Sequence, residues 1–237
     1  ICNQRLRMKD QRIGWFLRFL VWVWKKESPC DLVWPGPDVI VPTSFVTCKE
    51  ALTNGTREAL EGAIELGRRY YQPTLAMSHC SYPFPKAEDV EKRLRQEMVD
   101  KVDRQVGHKI FGQVIHALPM VSTVNEALNI KAALDAVGIR PKAIMVVTGE
   151  GHSRSALYIW KKVFPDADVY LELFDFSYET QPDHPVHDQR SPWKWFIMNI
   201  LRQCALWVFP LHALANAQHG NGSLLLQILR NLRTKSV

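Results

Sequence analysis

From Lys142 to Ala156 the chain reads K-A-I-M-V-V-T-G-E-G-H-S-R-S-A, and this stretch narrows the available folds more than any other. The apolar run Ala143 to Val147 is too short for a helix and has the β-branched weight of a fully buried strand. It breaks at Thr148-Gly149-Glu150-Gly151 and restarts as an amphipathic helix, Ser153 to Phe164, with His152 and Arg154 at its first turn. A strand feeding a helix through a glycine-containing turn is how open α/β sheets build ligand sites. The helix start offers unpaired N–H groups and a positive dipole end, and glycine lets a ligand approach the backbone. Thr148 and Gly149 are therefore candidate ligand contacts, and Arg154 is the candidate anion grip, since a guanidinium holds phosphate or carboxylate bidentately. His152 is a candidate donor or general acid/base near neutral pH. Glu150 is either the partner that holds Arg154 in place or the general base.

The rest of the chain repeats the same alternation. Asp38 to Val41 reads as a short buried strand, Pro42 to Gly55 as a loop and Thr56 to Tyr70 as a helix whose Ala59, Ala63 and Gly67 imply close packing on a sheet. Pro73 to Met77 is a second strand, Ala87 to Gln105 a charged helix and Lys109 to Val114 a further strand. Ser122 and Thr123 are expected to cap a helix running to Val137, which Gly138 stops in the C′ position. A strand from Asp168 to Leu173 follows the Ser153 helix. This succession predicts an α/β fold: a doubly wound, mainly parallel sheet with helices on both faces. Ligands of such sheets sit outside the carboxyl ends of the strands. Thr43, Ser44, Ser78 and His79 follow strands and are expected at that crevice, and Asn125 and Glu126, beside the Thr123 cap, start a helix at the same edge. Strand ends are polar in any case, and a threonine at a helix start needs no ligand to explain it.

Three segments resemble the YdcF-like family. Arg57, in T-R-E-A-L-E-G-A, stands like that family's arginine on the helix after strand one. S-T-V-N-E-A, Ser122 to Ala127, looks like its S-T-x-E-N-A with acid and amide exchanged. V-V-T-G-E-G-H-S-R-S-A, Val146 to Ala156, looks like its V-T-S-x-x-H-x-x-R-A with the arginine one residue closer to the histidine. The resemblance spans roughly Asp38 to Leu206 and implies the Rossmann-like three-layer sandwich, with Arg57 as a further candidate ligand contact. It also implies a link to cell-envelope upkeep, peptidoglycan or its lipid carrier, and in one branch to S-adenosylmethionine as a cofactor. It implies no settled reaction, so the activity is open between hydrolase or transferase chemistry and binding alone.

Composition bounds the alternatives. With 237 residues, 46% hydrophobic and 23% charged, the chain is an ordinary globular protein. Three segments are expected: an aromatic, basic helix and linker over 1–36, the α/β domain over 37–210, and a helix and basic tail over 211–237. The net charge of +6 favours anionic partners, and its excess lies at the ends, from Arg5 to Arg18 and from Arg230 to Lys235. No nucleic-acid module accompanies it, which argues against DNA or RNA. Five scattered cysteines without a C-x-x-C pair give no zinc framework and fit free thiols. His184-x-x-His187 with Asp183 and Asp188 looks superficially like a metal cluster but has no third ligand, so no metal is expected. There is no P-loop, no G-x-G-x-x-G and no G-x-S-x-G elbow. The Gly14 to Trp24 segment, rich in Trp and Phe, reads as a helix packed on the domain or as an interfacial membrane helix. Trp195 to Leu214 would have to carry Asn199, Arg202 and Gln203 into lipid to span it, so a helix covering the sheet is expected. A cytoplasmic and a membrane-associated location both fit this pattern. The leading expectation is binding, with or without turnover, of a small phosphorylated or carboxylated ligand at the strand ends; the rival is a non-catalytic membrane-associated envelope factor.

Overall fold

A computed structural model describes residues 15–26, 36–82, 84–175, 191–211 and 214. Arg5 to Arg12, most of the linker before β1, the His184/His187 loop, Cys2, Cys30 and nearly all of the 211–237 tail lie outside the described residues. The elements run α1 (Trp15–Trp24), β1 (Val39–Pro42), α2 (Asn54–Arg69), β2 (Thr74–Met77), α3 (Ala87–Val106), β3 (Gln113–His116), α4 (Thr123–Ala136) and β4 (Ala143–Gly149). A 3-10 turn (Glu150–His152), α5 (Ser153–Val163), β5 (Asp168–Phe174) and α6 (Pro192–Val208) complete them.

All five strands are parallel, in the order β3-β2-β1-β4-β5. The chain winds outward from β1 to β3, returns to β4 on the other side of β1, and winds outward again. The fold is thus a doubly wound α/β sandwich, and its topological switch point lies between β1 and β4. Period-2 alternation divides the buried side chains between two cores. Val39, Val41, Ile144 and Val146 face α4 and α5, while Ile40, Met145 and Val147 face α2 and α3. Because both faces are covered, β4 is buried throughout and reads as a continuous apolar run instead of an alternating one.

Local chemistry explains the element ends. At the close of α4 the Ile139 N–H reaches the Leu134 carbonyl and the Gly138 N–H reaches Asp135, with Gly138 at φ +75°, so the expected glycine stop is a Schellman motif. α2 approaches the segment leading into β3 so closely that a Cβ on Gly67 would lie 2.6 Å from Phe111 Cε1. This helix begins at Asn54, two residues before the expected Thr56, because Thr53 serves as its N-cap position. The Thr53 and Thr56 hydroxyls both donate to the Val46 carbonyl instead, at 2.8 Å.

Two elements differ more from expectation. β3 starts at Gln113 and not at Lys109: the Ile110 N–H is held by Asp103 Oδ1 at 3.0 Å, and Ile110 and Phe111 turn into the core before pairing with β2 begins. α6 runs Pro192–Val208 and not from Trp195 to Leu214, with proline in its first turn and Pro210, which has no N–H to continue it, just beyond its end. α6 covers the domain with Trp195, Phe196, Asn199 and Gln203 turned inward, and α1 packs Leu17 and Val21 against it beside Phe45. Among the described residues no helix is long and apolar enough to cross a membrane.

Candidate functional site

The loop after β1, the end of β4 and the starts of α4 and α5 meet at the switch point. There they line a cavity of about 110 Å³, whose other walls are the loop after β2 (Cys80, Tyr82), α6 and Leu214. Thr43, Ser44, Thr123 and His152 line it, as the strand-end pattern predicts. The loop is held under strain. Val46, a β-branched residue, sits at φ +77°, a conformation that costs about 1–3 kcal/mol. Its carbonyl is fastened by the Thr53 and Thr56 hydroxyls, and Thr56 Oγ1 also accepts from the Phe45 N–H at 2.8 Å.

His152 is the centre of the polar wall. Its Nε2 lies 3.0 Å from Thr123 Oγ1 and its Nδ1 lies 2.9 Å from Asn199 Oδ1. Asn199 Nδ2 in turn donates to the Trp195 carbonyl at 2.9 Å. Burial lowers the His152 pKa to about 4; the Asn199 bond opposes the shift and the Arg202 charge adds to it, so the ring is neutral at physiological pH. Thr123 is therefore not the helix cap. Ser122 takes that role, its Oγ accepting from the Asn125 N–H at 3.3 Å and donating to Asn125 Oδ1 at 2.7 Å. The Thr123 hydroxyl is left for the histidine.

Two further groups complete the wall. Arg202 lines the cavity from α6, and Ser155 lines it from the first turn of α5. Ser155 is 2% exposed and its hydroxyl has no hydrogen-bond partner among the described residues. The rest of the lining is mainly apolar, from Phe45, Val46, Met120, Ile159, Trp195 and Leu206, with Tyr82 and Ser122 as further polar members.

Behind the strand ends lies a second polar layer. Glu91 and Arg95, one turn apart on α3, are both fully buried and pair at 3.0 Å. The guanidinium also donates to the Pro42 carbonyl at 2.6 Å and to Ser78 at 3.1 Å, tying the ends of β1 and β2 together. Glu91 Oε2 accepts from the Cys80 N–H at 3.1 Å. Glu126 Oε1 accepts from the Ser44 N–H at 3.0 Å, and burial raises its pKa to about 8. His79 Nε2 and His116 Nδ1 are 2.9 Å apart, and His116 Nε2 bonds Gln96 Oε1 at 2.9 Å. Ser78 and His79 belong to this layer and not to the cavity wall, Ser78 donating to the Leu118 carbonyl at 2.6 Å. Thr43 and Thr148 are likewise engaged: the Thr43 hydroxyl donates to the Val147 carbonyl at 3.0 Å and lies 3.3 Å from Thr148 Oγ1. Gly149 closes β4 and leads into the 3-10 turn.

The candidates chosen for charge sit elsewhere. Arg154 donates from Nε to the Trp24 carbonyl and from Nη2 to Val23 at 3.3 Å, with its guanidinium 4.8 Å over the Trp24 ring. It caps the carboxyl end of α1 and faces away from the cavity. Glu150 pairs with Lys25 at 3.1 Å, not with Arg154, and anchors the same helix. Arg57 lies on the exposed face of α2 with Asn54 and Glu61. Among the described residues no group of three or more His, Cys, Asp or Glu is placed to hold a metal. Asn199 and Arg202, which argue against a membrane span, are not among the residues expected at the site, although polar residues at one-turn spacing inside an apolar helix mark a face that meets something polar.

No family model matches the chain, and neither a curated protein nor a solved structure does.

Proposed function

We propose that this protein binds a small phosphorylated or carboxylated ligand in the crevice at the carboxyl ends of β1 and β4. One observation carries the reading: the first turns of α4 and α5 line a single cavity that Arg202 also lines, with a buried Ser155 hydroxyl that has no partner among the described residues. The start of α4 brings unpaired N–H groups and a positive dipole end, and arginine brings a bidentate donor, so an anionic group is stabilised by both. A cavity of about 110 Å³ is smaller than a site that swallows a whole cofactor, so it takes the anionic head of a ligand whose remainder lies in the mouth. The segments that resemble the YdcF-like motifs at Ser122 and Val146 both supply this wall, which supports a shared site; Arg57 does not.

Calorimetry of the full chain against inorganic phosphate, nucleotides, S-adenosylmethionine and a polyprenyl phosphate analogue tests the reading. Saturable binding weakened at least tenfold in Arg202→Gln, and unchanged in Arg154→Ala, is the expected outcome. Absence of binding to a folded wild type sinks it.

A second reading has its own observation. α1 exposes Trp15, Phe16, Phe19 and Trp22 (80%, 50%, 49% and 64% accessible), and α6 exposes Trp207 nearby in sequence to its end. Aromatic side chains held in water on an amphipathic helix suit the headgroup region of a bilayer. In this reading the protein is an envelope factor that docks on lipid. Sedimentation with anionic vesicles decides it, since replacing Trp15, Phe16 and Trp22 by serine should abolish co-sedimentation while Arg202→Gln leaves it intact.

A further inference from the structure

We infer that Thr123, His152 and Asn199 form a hydroxyl-activating relay, and that the crevice hydrolyses a small carboxylic ester carrying the anionic group that Arg202 grips. This rests on the anion-binding reading of the same cavity.

The proton positions follow from the hydrogen bonds. Asn199 donates from Nδ2 to the Trp195 carbonyl, which can only accept, so its Oδ1 is the atom facing His152. An amide oxygen also only accepts, so His152 Nδ1 carries the ring proton and Nε2 presents a bare lone pair. Thr123 Oγ1, 3.0 Å away, is then the donor. The chain thus runs hydroxyl to imidazole to orienting amide, the polarity by which a weak nucleophile is activated on unrelated folds. Helix capping does not account for it, because Ser122 already caps α4.

The surroundings suit acyl chemistry. Thr123 is the first residue of the 14-residue α4, so its own N–H and that of Val124 have no intrahelical acceptor and face charge developing at the helix start. Ser155 adds a hydroxyl without a hydrogen-bond partner among the described residues on the same wall, and much of the remaining lining is apolar. Thr123 Oγ attacks the ester carbonyl carbon as its proton passes to His152 Nε2. The tetrahedral oxyanion collapses, the bond to the alcohol oxygen breaks, and the Nε2 proton leaves with the alcohol. Water then attacks the acyl-threonine and gives a proton to Nε2; the carbon–Oγ bond breaks, Oγ recovers that proton, and the carboxylic acid departs and loses its remaining proton to solvent. Asn199 acts through His152 and is a positioning residue.

The test uses the full chain with 4-nitrophenyl acetate and mono-4-nitrophenyl succinate. Wild type should release nitrophenolate from both, Thr123→Ala should lose about 100-fold or more of the rate, and Thr123→Ser should restore most of it. Arg202→Gln should raise KM for the succinate ester alone. Asn199→Asp should move the acid limb of the rate profile to higher pH, since a carboxylate stabilises the imidazolium, which a merely structural asparagine would not do. Treatment with diethyl 4-nitrophenyl phosphate should place the phosphoryl group on the Thr123 peptide by mass spectrometry. If folded wild type hydrolyses neither ester faster than Thr123→Ala, the relay is overturned. Calorimetry with succinate then separates the two ideas, because retained binding leaves the anion crevice standing and lost binding removes it as well.

Discussion

Buried titratable side chains give this protein a pH signature that individual residues predict. Burial depresses His152 and His116 to about 4 and His79 to about 2, against about 6.5 for a free imidazole. Between these values and pH 6.5 the unfolded chain binds more protons than the native one, so their stability contribution is present above pH 6.5 and is lost as pH falls toward the folded values. Glu126 has the opposite sign. Its folded pKa is raised to about 8, so its contribution is complete below the unfolded value and disappears as pH rises through 8. Between 6.5 and 8 only the glutamate acts among these groups, and stability is expected to decline with rising pH. Urea midpoints from pH 4 to 9 should therefore peak near 6.5. Glu126→Gln, which keeps an acceptor for the Ser44 N–H, should flatten the alkaline side. A midpoint that does not change between pH 6.5 and 8 in wild type would refute the assignment of Glu126 as a buried neutral acid. None of this was visible in the residues themselves: Glu91 and Arg95 at i,i+4 on a highly charged helix read like an ordinary surface pair, yet both are fully buried.

Each element reports how closely its neighbours approach. Gly→Ala inside a helix ordinarily stabilises by about 1 kcal/mol, but at Gly67 the new methyl meets the Phe111 ring. Overpacking of that kind costs about 1–3 kcal/mol, so Gly67→Ala should lower the urea midpoint, and Phe111→Leu in the same chain should recover part of the loss. At the start of α4, Ser122→Ala should cost about 1 kcal/mol through the lost cap. Thr123→Ala should spare that cap, which separates the two neighbouring hydroxyls by measurement. α1 depends on residues distant in sequence, since Arg154 caps its carboxyl end and Glu150 holds Lys25. Arg154→Ala should speed amide exchange over 15–26 while β4 stays protected. Helix existence was legible from period and glycine placement, as the Gly138 stop illustrates. The start of β3 was not, because Lys109 to Gly112 has strand-compatible residues whose backbone is captured by Asp103 and Pro73.

On the scale of the whole molecule, the winding order places the switch point between β1 and β4, which is where ligands of such sheets usually sit. α6 then decides its chemistry. It closes the cavity with Asn199 and Arg202 on its inner side, while its outer side and that of α1 present tryptophans to solvent. The proposed ligand crevice and the exposed tryptophans therefore lie on different faces of α6, and α1 adds only to the exposed side. Arg202→Gln and the Trp15/Phe16/Trp22 replacement should affect ligand binding and vesicle binding independently.

What the sequence determined by itself is local. Apolar runs bounded by glycine and capping residues dictate strand, turn and helix, and their alternation dictates a parallel sheet with polar residues at its strand ends. Thr43, Ser44, Thr123 and His152 were thereby assigned to one edge, and they line one cavity. Which polar groups meet there was decided only by tertiary structure. Thr123 and His152 are 29 residues apart and His152 and Asn199 are 47 apart, and no periodicity encodes such a meeting. Arg154 is nearer to His152 in sequence than Arg202, yet the docking of α1 claims its guanidinium and the packing of α6 supplies the other. A helix pattern specifies which face is apolar; the partner of each polar side chain is fixed by how distant helices pack.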